Sequence, residues 1–281
     1  MKKTMLAASL CLASGLALAE GELQEQAAFP FTTVVAPSTK VTIELDKNTV
    51  KATLPGWDEQ VLFDIEPLEG EEAGRYPVAQ VGDFNFDEMQ DIAIQDGIGY
   101  GGVNVFYRVF LWDDKANKLK EFATPVSNPV LDGEKQTLVS AQRSGPLWYS
   151  TEFRAEKGKL YAAMDTEMIP FGDAVLDYVV FKNAAGKVTG TKIVGESSDD
   201  QAVDYAKAAS ATATIQVDKA PLYDKPDSAA KTKMYVIKGD KVTLLDWKAK
   251  EGGFGEGWFL IRYQGKKVIE KWLESSSLNQ G

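Results

Sequence analysis

Histidine is absent from the 281 residues, and cysteine occurs once, as Cys11. The missing histidine removes Ser-His-Asp and Cys-His nucleophilic chemistry together with His-ligated zinc or iron sites. Acid–base work would fall to carboxylates, Lys or Tyr, and a glycosidase would need two acids flanking a cleft. With 41 Asp and Glu some such pair always looks suitable, so its presence would decide nothing. The chain reads as a binding protein and not as an enzyme. Beyond the N-terminus no stretch approaches the roughly 20 apolar residues that span a bilayer, so no membrane insertion is expected. A hydrophobic share of 44% with 26% charge excludes a disordered or collagenous chain and leaves room for one or two cores.

What is present at the N-terminus has the form of a secretory signal. Lys2 and Lys3 precede an apolar run from Met5 to Leu18, and Ala17-Leu18-Ala19 is an A-x-A cleavage site. A membrane anchor is the alternative, but the run is short and ends in small residues. Leu10 stands before Cys11 where a lipoprotein signal needs a small residue, so lipidation is not expected. Cleavage after residue 19 would remove the only cysteine, and with it any disulfide. It would also remove two lysines and no acid, taking the net charge from −10 to −12. Such a surface repels nucleic acid and anionic lipid and suits a basic partner, or simply keeps the protein soluble. The expected compartment is the periplasm.

Most of the mature chain alternates at period two, the mark of half-buried strands. Residues 40–45 and 49–54 are two such runs around the turn Asp46-Lys47-Asn48, and further runs follow to Val194. The expected fold is all-β: an antiparallel β-sandwich or curved-sheet or barrel domain over 20–195, followed by a small C-terminal barrel. Residues 196–211 are rich in Ala and poor in large apolar side chains, which predicts a linker or short helix. Residues 212–281 form the second domain.

The sharpest chemical signal is Asp83-Phe84-Asn85-Phe86-Asp87-Glu88-Met89-Gln90-Asp91. Side-chain oxygens fall at positions 1, 3, 5 and 9 of a calcium loop, and Met89 offers its carbonyl from position 7. Ca2+ takes six to eight hard oxygen ligands, which alternation in a tight loop supplies. Two departures stand out: Glu88 occupies position 6, where Gly provides a positive φ, and Ile94 occupies position 12, where an EF-hand has its bidentate Glu. With strands on both flanks, the loop resembles the strand-flanked calcium loops of FG-GAP-type repeats. A solvated acidic turn is the plainer alternative.

Further blocks follow in order: Gly97-Ile98-Gly99-Tyr100-Gly101-Gly102, Asn104, the aromatic run 105–112, Asn128-Pro129-Val130-Leu131-Asp132, and Ser144-Gly145 ahead of Trp148-Tyr149. Over about 76–161 this series resembles the periplasmic family related to inhibitors of invertebrate-type lysozyme, which includes immunity proteins against lysozyme-like effectors. The resemblance implies one Ca2+ and a loop inserted into the cleft of a lysozyme-like muramidase or other wall hydrolase. Ser144, Gly145 and Tyr149 are the nearest matches to that loop, although Pro146-Leu147-Trp148 lengthens its spacing. A muramidase cleft holds a carboxylic acid and a carboxylate. A hydroxyl and turn amides would hydrogen-bond them, and Arg143 or Arg154 would pair with the ionised one. An ordinary hairpin turn is the alternative.

Residues 212–278 resemble bacterial SH3-like domains, carried by Ala220-Pro221-Leu222-Tyr223, Lys238-Gly239-Asp240, Gly257-Trp258-Phe259 and Ile269-Glu270-Lys271-Trp272. The resemblance implies binding of peptidoglycan stem peptides or protein tails in an aromatic groove, with Tyr223 and Trp258 as candidate contacts. In so small a barrel such rings more often serve as core, and that is the preferred reading of each. Two functions therefore stand: a hydrolase inhibitor or immunity protein, or an envelope module that binds peptidoglycan.

Overall fold

The computed structural model describes residues 23–26, 29–65, 77–195, 203–252 and 255–278. The expected signal peptide and the first part of the expected linker, 196–202, lie outside the described residues. The rest is all-β, with antiparallel pairing throughout and single-turn 3-10 segments as its only helical structure among the described residues.

Three sheets stack in the N-terminal part. The outer one is a meander of β2 (Phe31–Ala36), β3 (Thr39–Asp46), β4 (Thr49–Thr53) and β5 (Gln60–Asp64). Its β3–β4 hairpin turns at the expected site, where Lys47 takes a left-handed φ of 57°. The middle sheet orders β1 (Gln24–Gln26), β6 (Ala79–Gly82), β7 (Asp91–Gly99), β8 (Asn104–Asp113) and β10 (Val126–Ser127), with β9 (Lys118–Glu121) also on β8. The third runs in sequence order: β11 (Val130–Asp132), β12 (Thr137–Ser144), β13 (Leu147–Glu156), β14 (Lys159–Phe171), β15 (Ala174–Lys182) and β16 (Val188–Gly195).

Alternation in the middle sheet supplies two cores at once. Ile92, Ile94, Phe110 and Trp112 point to the outer meander and pack on Val41, Ile43, Val50 and Phe63. Ala93, Tyr107 and Val109 point the other way, onto Leu138 and Phe153 of the third sheet. Residues Asp91 to Gln95 are therefore buried on both faces. Each large apolar side chain so enclosed contributes about 1.5–3 kcal/mol relative to exposure.

The C-terminal sheet has the order β17 (Thr212–Thr214), β20 (Lys241–Ala249), β21 (Gly257–Gln264), β22 (Val268–Glu274), β18 (Lys219–Tyr223), β19 (Lys231–Ile237). Its end strands β17 and β19 do not pair with each other, so the expected closed barrel is instead a bent open sheet. Nor does it stand apart. Ile169, Leu176 and Ile193 of the third sheet share one core with Leu222, Leu244, Phe259 and Leu273. Ala211 joins the two by backbone bonds, its N–H donating to Ile193 and its carbonyl accepting from Leu244 N–H. Residues 203–211 form a turn and no helix. Lys192 Nζ donates to the carbonyls of Tyr205, Ala206 and Ala208.

Candidate functional site

The 83–91 loop connects β6 to β7 and touches all three stacked sheets. Phe84 enters the core beneath the third sheet, Met89 packs against the core beneath the meander, and Gln90 N–H donates to Val35 O on β2 at 2.8 Å. Carboxylates hold its shape. Asp83 accepts from Asp87 N–H (3.0 Å) and Glu88 N–H (2.8 Å), while Asp87 accepts from Met89 N–H (3.1 Å). Asp91, fully buried, accepts from Phe84 N–H (2.9 Å) and from Trp112 N–H on β8 (2.8 Å). Glu88 adopts the positive φ (70°) that this position requires, and Phe86 is left-handed too (59°). Each costs about 1–3 kcal/mol that glycine would not.

The loop crowds several acids into a partly buried space. Burial raises the Asp91 carboxyl well above the ordinary carboxylate range and raises Asp83 less, and the neighbouring loop acids push both in the same direction. Asn85 is 3% exposed and donates from Nδ2 to Asp87 Oδ2 (2.9 Å) and Gly158 O (3.2 Å), yet its Oδ1 has no partner. An orphaned buried oxygen among carboxylates fits a hard cation. The fit rests on a mixed set: among the described residues no three acid side chains converge on one point. Asp83, Asn85 and Asp87 are the side chains suited to ligation. Asp83 has both oxygens on backbone amides but is only part-buried. Asp91 is fully buried with both oxygens so engaged and braces the loop, and Met89 is fixed by its packing.

The β12–β13 hairpin carries the second predicted site. Ser144 pairs with Leu147 across a turn of Gly145 and Pro146, with Gly145 at φ 60° and open space beside its Cα. Ser144, Gly145 and Pro146 are all exposed. Gly145 O accepts from Tyr100 Oη at 2.7 Å and from Arg143 Nε at 3.1 Å, and the Arg143 guanidinium lies 5.8 Å from the Tyr100 ring centroid. Behind them, Asn104 exchanges two bonds with the Arg143 backbone, at 2.8 and 2.9 Å. Sequence reasoning missed Tyr100 as the clamp. An exposed aromatic within a glycine-rich turn was its only signal, and its partner is 45 residues away.

Other predicted contacts fall elsewhere. Tyr149 pairs with Gln142, about 10 Å behind the turn at roughly 3.4 Å per residue, and faces a groove and not the tip. Arg154 is engaged by Glu152 (2.8 Å), which leaves Arg143 as the arginine at the tip. Tyr223 and Trp258 take the core role, which corrects their alternative assignment as contacts in an open aromatic groove. They are 6% and 5% exposed and pack edge to face with centroids 4.8 Å apart, because the bent sheet folds both rings inward. Only a margin of Trp258 reaches a shallow groove of about 470 Å³, under Lys250 Nζ at 5.3 Å from its ring.

The site and fold thus define an all-β chain with an acidic loop anchored to three sheets and a braced, exposed hairpin tip. No family model and no curated protein matches the sequence. Among solved structures it is similar to a chain described as a Xanthomonas type IV secretion system related protein. The two share 16% identity over 62% of this chain and 88% of that one, with a TM-score of 0.37. A likeness of that size carries no argument. No helix among the described residues is long and apolar enough to cross a membrane.

Proposed function

We propose that the chain is a non-catalytic, calcium-binding protein of the bacterial periplasm that inhibits, or gives immunity to, a lysozyme-like wall hydrolase. The observation that carries the reading is the tip at Ser144-Gly145-Pro146, exposed yet held by Tyr100 and Arg143 before any partner arrives. A segment fixed beforehand loses little conformational freedom on docking. Its hydroxyl and turn amides suit the carboxyl pair of a muramidase cleft, and an acidic surface steers a basic enzyme towards it. In this reading Ca2+ is bound by Asp83, Asn85 and Asp87, with Met89 O as a further donor and Asp91 as the brace. It neutralises the loop's acids and locks the three sheets together.

The test is lysis of purified peptidoglycan by a panel of muramidases, with and without the full chain. Ser144→Lys should abolish inhibition with an unchanged melting temperature, since an exposed turn residue contributes little to stability. Inhibition that survives this substitution refutes the site. The groove over Trp258, lined also by Lys248, Glu251 and Glu274, supports a second reading, an envelope module that holds peptidoglycan through the C-terminal sheet. Sedimentation with insoluble peptidoglycan in the absence of any inhibition would favour that reading.

A further inference from the structure

Behind the hairpin tip, the face of the third sheet forms a groove of about 530 Å³, walled by Phe106, Pro125 and Ser127 from the middle-sheet side. Cross-strand partners share a face, so register alone arranges its floor. Gln142 lies opposite Tyr149, Tyr149 opposite Glu167, and Glu167 opposite Tyr178. Glu167 is thereby flanked on both sides by tyrosine. One row along, Thr151, Asp165 and Val180 are aligned in the same way.

The two acids of the floor differ in one respect. Asp165 is neutralised within the chain by Lys182 and accepts from Thr151 Oγ1 at 3.0 Å. Glu167, half-buried, has no ion-pair or hydrogen-bond partner among the described residues. Tyr178 Oη is committed to Asp246 of the C-terminal sheet at 2.6 Å, which brings a third carboxylate to that end of the groove. On the opposite wall Ser127 is 4% exposed, and its Oγ is buried without a partner. Among the described residues the groove thus presents an unpaired carboxylate between two aromatic rings and no free cation of its own, with an unsatisfied hydroxyl buried in its wall. Aromatic rings around a carboxylate attract a desolvated cation.

We infer that this groove binds an alkylammonium or guanidinium group, with Glu167 as its counter-ion and Tyr149 and Tyr178 as its flanking rings. The inference stands apart from the hydrolase-inhibitor reading, because the tip and the metal loop contribute nothing to it. Such a group comes either from a free amine or from a Lys or Arg side chain of a polypeptide.

The experiment is calorimetric titration of the full chain with Nα-acetyl-arginine amide, putrescine and the neutral sugar chitotriose, alongside the uncharged control Nα-acetyl-norleucine amide. Chemical-shift mapping on the wild-type chain locates any binding. Saturable binding of a cationic probe is expected, with shifts at Tyr149, Glu167 and Tyr178, and Glu167→Gln should weaken it at least about tenfold. Preference for the arginine amide identifies a polypeptide source, and preference for putrescine a free amine. Binding of chitotriose or the norleucine control in place of the cations would overturn the inference. So would no binding of either cation up to millimolar concentration, or shifts confined to other surfaces. If Glu167→Gln fails to fold, the wild-type shift map decides alone.

Discussion

Asp87→Ala separates a metal loop from a merely acidic turn. In the folded chain Asp87 accepts from Met89 N–H and from Asn85 Nδ2, and Asn85 Oδ1 lies buried and unpartnered beside it. In metal-free protein the substitution should cost only the net value of these two bonds, about 1–3 kcal/mol. With calcium present the difference should be larger. A ligand that binds only the native state stabilises it by RT ln(1 + [L]/Kd), about 2.7 kcal/mol at a hundredfold excess over Kd. At roughly 2–4 °C per kcal/mol for a chain region of this size, calcium should raise the melting temperature of the unsubstituted protein by about 5–11 °C. Asp87→Ala should lose nearly all of that gain. Thermal melts of chelator-stripped protein, with and without millimolar calcium, read the effect directly, and calorimetric titration supplies the Kd. No heat of binding together with an unchanged midpoint would refute the reasoning. So would a variant that keeps the full calcium shift.

Three further outcomes follow from the same geometry. Because burial raises Asp91 and Asp83, the folded metal-free chain keeps protons that the unfolded chain has released. Its stability should therefore fall as pH rises from about 4 towards the raised native values. Calcium's gain in melting temperature should grow across the same window, and a pH-independent gain in melts from pH 4 to 7 would contradict this. Asp91→Asn leaves one of the Phe84 and Trp112 amides without an acceptor and should cost about 1–3 kcal/mol by urea denaturation, with or without metal. Tyr100→Phe removes one of two donors to Gly145 O and should change global stability by no more than about 1.5 kcal/mol. It should, however, accelerate amide exchange at the 143–147 turn, and unchanged exchange there would show that Tyr100 is no clamp.

Strands were legible in the sequence because side-chain alternation is local. Val41, Ile43, Val50 and Ala52 identified the β3–β4 hairpin and its buried face without further information. What alternation does not encode is the partner of each face. Asp91-Ile92-Ala93-Ile94-Gln95 reads as a half-exposed strand, yet it lies between two other sheets, so its polar ends are buried as well. The same limit hid the tip clamp and the acidic groove. Tyr100 meets Gly145, and Glu167 falls between Tyr149 and Tyr178, only through registers that join distant segments. The 83–91 segment was legible as a tight acidic loop because its oxygen-bearing side chains lie close together in sequence, and Glu88 adopts the backbone conformation there that glycine would take more easily. Tyr223 and Trp258 take the core role that a small sheet gives such rings, and their alternative role as groove contacts is not realised beyond the margin of Trp258.

The pairing of Ala211 with both Ile193 and Leu244 has a practical consequence for anyone cutting this protein. A protease that severs 196–202 would break the covalent chain without freeing either half. The segment beginning at 203 would still close the apolar floor formed by Ile169, Leu176 and Ile193. Nicked protein should therefore migrate as one species under native conditions and as two in denaturant. The halves expressed separately should reconstitute on mixing, while each alone would present a sticky apolar surface to its surroundings.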